Sequence, residues 1–140
     1  MIPAIVLDAS ATLSWLFSDE QTQASCELAR DVARHGAVVP SIWHAEIAQL
    51  LLLAERRGCT TMERVTEIVA LLDELPIETE ADVPPRVRHE VLELARDRSL
   101  STCDALYLDL ARRRSLPLAT LDPALSRAAR AMGVRVALGD

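Results

Sequence analysis

AIVLD, residues 4–8, and PLATLD, residues 117–122, are the stretches whose reading decides the fold. Each is a short apolar run of strand type, and each ends in an aspartate, Asp8 and Asp122. Runs this short and this apolar suit strands covered on both faces, as in parallel sheets. In an open α/β sheet, ligands sit outside the carboxyl ends of the strands. Both aspartates fall there by sequence.

Outward from these two runs, AVV (37–39), PIET (76–79) and VRVAL (134–138) read as further strands. Periodicity places helices over about 10–17, 20–35, 41–57, 60–75, 85–98, 102–114 and 123–132. Gly36 and Gly58 end two of them, and Pro40 and Ser41 open the apolar third. Short strands alternating with helices specify an α/β fold: a short, mostly parallel central sheet flanked by helices, three layers in all. No repeat, low-complexity tract or long linker interrupts the chain, so residues 1–140 are expected to form a single domain.

Composition excludes several classes of chemistry. The net charge is −6, and all fifteen basic residues are arginine. Without lysine there is no P-loop and no Schiff-base nucleophile. Trp15, Phe17, Trp43 and Tyr107 are the only aromatics, too few for an extended base-stacking platform. An acidic surface argues against tight duplex binding through phosphate neutralisation alone. Cys26, Cys59 and Cys103 are scattered and form no CxxC pair, which supports neither a zinc knuckle nor a disulfide framework. A reducing cytoplasm is the simplest expected compartment. The start, MIPAIVLDAS, lacks the basic region of a signal peptide, and no apolar run approaches the roughly 20 residues that span a bilayer.

The acids separate by helix face. In TCDALYLDLARRR (102–114), Asp109 lies beside Arg112 and Arg113, which reads as an ordinary solvated ion-pair face. Asp104 has Tyr107, Leu108 and Ala111 for same-face neighbours, none of them positive. Glu46, in SIWHAEIAQLLLLA, has Ile42, Trp43, Leu50 and Leu53 on its side, with Gln49 the one polar neighbour. Each of the four singled-out acids has a plain structural reading. Asp122 before Pro123 suits a helix start, as does Asp8 after its strand. Ser101 to Asp104 has the spacing of a capping box. Glu46 has no capping role, and its plain reading is a long side chain reaching a nearby edge.

Convergence is the other reading. Like charges about 4 Å apart repel by roughly 4 kcal/mol per pair at an effective dielectric near 20. Several such pairs would rival a domain's whole stability of about 5–15 kcal/mol. Protonation or a cation must relieve them. Carboxylates without His or Cys partners favour Mg²⁺ or Mn²⁺, ions suited to phosphoryl hydrolysis.

VLDASA, WHAEIAQLL, STCDALYLDLA and LATLDPAL occur in that order across essentially the whole chain. With these blocks the sequence resembles PIN-domain ribonucleases, and more narrowly the VapC-type toxins of bacterial toxin–antitoxin pairs. The resemblance implies a PIN-like fold and a Mg²⁺- or Mn²⁺-dependent endoribonuclease that uses activated water and no protein nucleophile. It places the acidic catalytic and metal-binding site on Asp8, Glu46, Asp104 and Asp122, with Ser10 and Thr120 orienting carboxylates or water. It implies a substrate in tRNA or rRNA, and products with 5′-phosphate and 3′-hydroxyl ends. Arg112, Arg113 and Arg114, with Arg86 and Arg88, are the candidate phosphate contacts, against the plain reading of surface charges or ion pairs. A homodimer and a VapB-type antitoxin, whose arginine would replace the cation among the acids, are the implied partners. Two positions depart from the family pattern: Gln49 where asparagine is common, and Cys103 where many relatives have an aromatic.

Rival readings fall short on residues. DASAT (8–12) is faintly similar to the DxDxT loop of haloacid-dehalogenase-type phosphatases, but Ser10 replaces the second aspartate and the lysine is missing. A receiver-type phospho-acceptor domain also wants a lysine. His44-Ala45-Glu46 matches the HxE of zinc deaminases, yet the partner PCxxC is absent. Two alternatives keep the PIN fold: an inactive binding module, and a nuclease of RNA processing with no toxin role.

Overall fold

In the computed structural model, which describes residues 3–17 and 19–139, five parallel strands form one sheet in the order β3-β2-β1-β4-β5. The strands are β1 (Val6–Leu7), β2 (Ala37–Pro40), β3 (Ile77–Glu80), β4 (Leu118–Ala119) and β5 (Val136–Ala137). Val6, Leu7, Val38, Val39, Leu118 and Ala119 have no exposed surface. Successive residues of a strand face opposite ways, so burial of both members of each pair means that both faces of the central strands are covered. The expected α/β fold with a parallel central sheet is the observed one.

The helices are α1 (Ala9–Leu13), α2 (Gln23–His35), α3 (Ile42–Arg56), α4 (Met62–Asp73), α5 (Pro84–Arg86), α6 (Leu92–Arg98), α7 (Thr102–Arg114) and α8 (Pro123–Ala131). A π turn, Val87–Val91, joins α5 to α6, so the expected helix over 85–98 is one rod with a wider turn inside it. Helix α1 ends at Leu13, earlier than periodicity suggested, and the apolar residues after it form turns. Helix α2 begins at Gln23, where Thr22 and Ser25 exchange side-chain to backbone bonds in a capping box. The strands after residues 117 and 134 are cut to two residues each. Beyond Ala119 the chain already turns toward α8.

Helix α7 is the central helix, packed across β2, β1 and β4. Ala105, Tyr107, Leu108, Leu110 and Ala111 are all buried, which encloses it on most sides. That enclosure corrects the reading of Asp109. Its carboxylate is 5% exposed and takes two bonds from Arg86, at 2.6 and 3.0 Å, and one from Arg113 at 2.9 Å. Arg113 continues to Glu80 at 2.7 Å, and Arg114 bridges Glu80 and Glu78. The ladder staples α7 to the edge strand β3 and to α5. Helical spacing foresaw Arg113 but not Arg86, which arrives from another element.

Helix α3 also sits differently from its wheel. Its buried stripe is Trp43, Ile47 and Leu51, while Leu50 is 39% exposed. Trp43 sets this rotation: its indole N–H donates to Thr12 Oγ1 at 3.1 Å, and the Thr12 hydroxyl donates to the Asp8 carbonyl at 2.6 Å. Glu46 therefore lies at the edge of the buried stripe, half-buried.

Candidate functional site

Strand order places the site. β1 leads to β2 and β3 on one side, and β4 and β5 add on the other, so the order reverses between β1 and β4. Such a switch point opens a crevice at the carboxyl ends of the two strands. Leu7 pairs with Ala119, and the next residue, Asp8, donates its N–H to the Ala119 carbonyl at 3.1 Å. Asp8 and Thr120 are thus side by side as the strands end.

Asp8 is 5% exposed and is the N-cap of α1. Its Oδ1 accepts from the Ala11 N–H and the Ser10 hydroxyl, each at 2.8 Å, and Thr120 also bonds the carboxylate. Burial raises its pKa; these three donors oppose the rise, and the charge of Glu46 adds to it. Ser10 and Thr120 also hold the loop that carries Asp122. The Leu121 N–H donates to Ser10 Oγ at 3.1 Å, and the Asp122 N–H to Thr120 Oγ1 at 3.0 Å.

Asp122 caps α8 by accepting from the Ala124 N–H at 3.0 Å, with Pro123 in the first turn. Ser101 caps α7 by accepting from the Asp104 N–H at 3.1 Å. The capping readings of Asp8 and Asp122 are therefore both correct. Capping engages one face of a carboxylate and leaves further lone pairs. Asp104, in the first turn of α7, comes within hydrogen-bonding reach of Asp122. Burial, then the adjoining Asp122, then Glu46 push its pKa to about 6.

Glu46 reaches the group from α3 and accepts a bond from the Tyr107 hydroxyl at 2.5 Å. Its charge acts on Asp8, Asp104, Cys103 and Tyr107. The Tyr107 phenol is pushed well up by burial and by its Glu46 partner, so it stays a donor. The Cys103 thiol is raised by burial and then by Glu46 and Asp104, which disfavours a thiolate ligand. Tyr107 was legible in the sequence only as an uncharged neighbour of Asp104, three residues on. Nothing in the spacing announced its bond to a glutamate 61 residues earlier.

The structure thus brings Asp8, Glu46, Asp104 and Asp122 into one neighbourhood, with Ser10 and Thr120 on Asp8. Among the described residues, no three His, Cys, Asp or Glu side chains are grouped closely enough to hold a metal ion together. The donor chemistry nonetheless fits a hard divalent cation. The site offers carboxylate oxygens and no imidazole, since His44 turns to Thr79 at 2.8 Å. Burial and then the adjoining Asp122 raise Asp104 to about 6, and the repulsion between these two acids is what a cation relieves.

The arginines lie elsewhere. Arg113, Arg114 and Arg86 are bound to carboxylates. Arg112 and Arg135 line a hollow of about 300 Å³ with Ser115, Pro117 and Met132. Pro117 and Arg135 precede β4 and β5, so this hollow is at the amino ends of the strands, away from the acids. The rise of a helix puts Arg112 about 12 Å along α7 from Asp104.

Among curated proteins, none matches the chain. Solved structures that share its architecture include the following two. PAE2754 from Pyrobaculum aerophilum superposes with a TM-score of 0.67 at 20% identity, covering 97% of this chain and 92% of its own. FitAcB from Neisseria gonorrhoeae superposes with a TM-score of 0.57 at 15% identity, covering 94% and 95%. At such identities the likeness is one of fold. The sequence model of the PIN domain matches residues 5–131, from β1 through α8, a span that contains every acid of the crevice. By that match the chain belongs to the PIN domain family, whose members are generally nucleases.

Proposed function

We propose that the protein is a metal-dependent endoribonuclease, the toxin of a VapBC-type toxin–antitoxin pair, acting on tRNA or rRNA. The observation that carries this reading is the meeting of Asp104 and Asp122 at the switch-point crevice, with Asp8 and Glu46 beside them. Asp8, Glu46, Asp104 and Asp122 would hold Mg²⁺ or Mn²⁺. When bound, such an ion offsets phosphate charge and activates water for hydrolysis.

The chain's own groups do the rest by position. Ser10 and Thr120 fix the rotamer of Asp8 and keep the Asp122 loop against it. The caps on α1 and α8 hold Asp8 and Asp122 at the mouths of their helices. The acids themselves repel RNA, so binding depends on the cation and on contacts away from the centre. Arg112 and Arg88 carry no ion pair among the described residues and are the free candidates for flanking phosphates. Arg113 and Arg114 would first have to leave Glu80, Glu78 and Asp109. A VapB-type antitoxin and a homodimer complete the reading by kinship to that toxin class, as does a cytoplasmic site of action.

The test is cleavage of purified tRNA and rRNA by the wild type and by Asp8→Asn, with Mn²⁺, Mg²⁺ or EDTA. Metal-dependent cuts with 5′-phosphate and 3′-hydroxyl ends, lost in Asp8→Asn, are expected. Expression should arrest bacterial growth until a cognate antitoxin is supplied. Cleavage without growth arrest makes the protein an RNA-processing nuclease. Metal binding without cleavage of any RNA makes it an inactive PIN module.

A further inference from the structure

Tyr107 is 1% exposed, and a phenylalanine would fill the same space. Its hydroxyl is the added chemistry, and it is spent on one acceptor, Glu46 Oε1, at 2.5 Å. The bond joins two helices. Tyr107 lies one turn beyond Asp104 on α7, and Glu46 projects from α3. Glu46 has no other fixed restraint of this kind: it caps no helix and forms no ion pair among the described residues. A glutamate has three side-chain torsions to immobilise, more than any of the aspartates around it. A single O–H donor restrains these torsions while occupying one lone pair of the carboxylate, leaving the others for a ligand. Groups that orient a ligating side chain in this way set metal affinity together with the ligands.

We propose that Tyr107 is a positioning residue, whose hydroxyl holds Glu46 in the orientation in which it ligates the divalent cation of the acidic crevice. This rests on the metal-dependent reading given above. Burial keeps the phenol in contact with Glu46 rather than water.

The test is Mn²⁺ affinity in the absence of RNA, measured by electron paramagnetic resonance on wild type, Tyr107→Phe, Glu46→Gln and the double variant. Tyr107→Phe should weaken Mn²⁺ binding by about 10- to 100-fold. In the Glu46→Gln background the same change should cost little more. A second measurement needs no Tyr107 variant. The chain has one tyrosine, so ¹³Cζ-tyrosine labelling yields a single resonance. That resonance should move when Mg²⁺ is added to the wild type and stay still in Glu46→Gln. Wild-type affinity in Tyr107→Phe, or an equal loss in both backgrounds, overturns the proposal and leaves the nuclease reading intact. A stationary tyrosine resonance while Mg²⁺ raises the melting temperature does the same. Absence of any Mn²⁺ binding by the wild type overturns both.

Discussion

Asp104, in the first turn of α7, lies within hydrogen-bonding reach of Asp122, the N-cap of α8, and the two carboxyls cannot both be charged without cost. The folded-state pKa of Asp104 is raised to about 6 from 3.8, so the folded chain binds this proton more tightly than the unfolded chain does. Its contribution to stability is full below about pH 4 and is lost as pH rises through about 6. Asp104→Asn should therefore melt higher than wild type at pH 7.5 without metal, and the advantage should shrink toward pH 4. Differential scanning calorimetry across that range checks it. A variant that is less stable at every pH would mean that Asp104 serves only its helix.

Metal should reverse the order. Mn²⁺ at a hundredfold excess over Kd stabilises the folded state by about 2.7 kcal/mol through mass action. Wild type should gain that increment and Asp104→Asn much less of it. Thermal melts over a Mn²⁺ series decide the matter, since equal gains in both proteins would remove Asp104 from the ligand set.

The Asp109 ladder makes the opposite prediction about acid. Burial alone would raise this carboxyl, but Arg86 and Arg113 outweigh it and hold the pKa below the usual value. Its stabilisation is present above the ordinary carboxylate pKa and is lost as pH falls through the depressed one. Asp109→Asn should cost about 1–3 kcal/mol at pH 7, with the gap to wild type closing in strong acid. Urea titrations at pH 7 and at successively lower pH into strong acid follow the closing gap.

Ser115 ends α7 in the left-handed region, at φ 54°, a conformation glycine adopts without steric cost. Ser115→Gly should stabilise the protein by about 0.5–1 kcal/mol, the left-handed penalty less the extra chain entropy of glycine. The residue is remote from the acids, so RNA cleavage should stay at its wild-type rate. A lower melting temperature would count against the strain argument.

The sequence by itself determined the parallel α/β fold, because short apolar runs alternating with amphipathic helices have few other solutions. Asp8 and Asp122 were also legible, since their position at strand ends depends only on where each strand stops. Helix-face reasoning singled out Asp104 by the absence of any positive neighbour one turn away. It placed Asp109 on a solvated face because Arg86 comes from a different element. It read Tyr107 only as an uncharged neighbour of Asp104, because the acceptor for its hydroxyl lies on α3. Only the tertiary structure decided that Glu46 sits at the edge of its helix's buried stripe, since the Trp43 bond to Thr12 sets the rotation of α3. Periodicity reports which residues share a face. What that face meets is settled by strand order and packing between elements far apart in the chain, and there the four acids find one another.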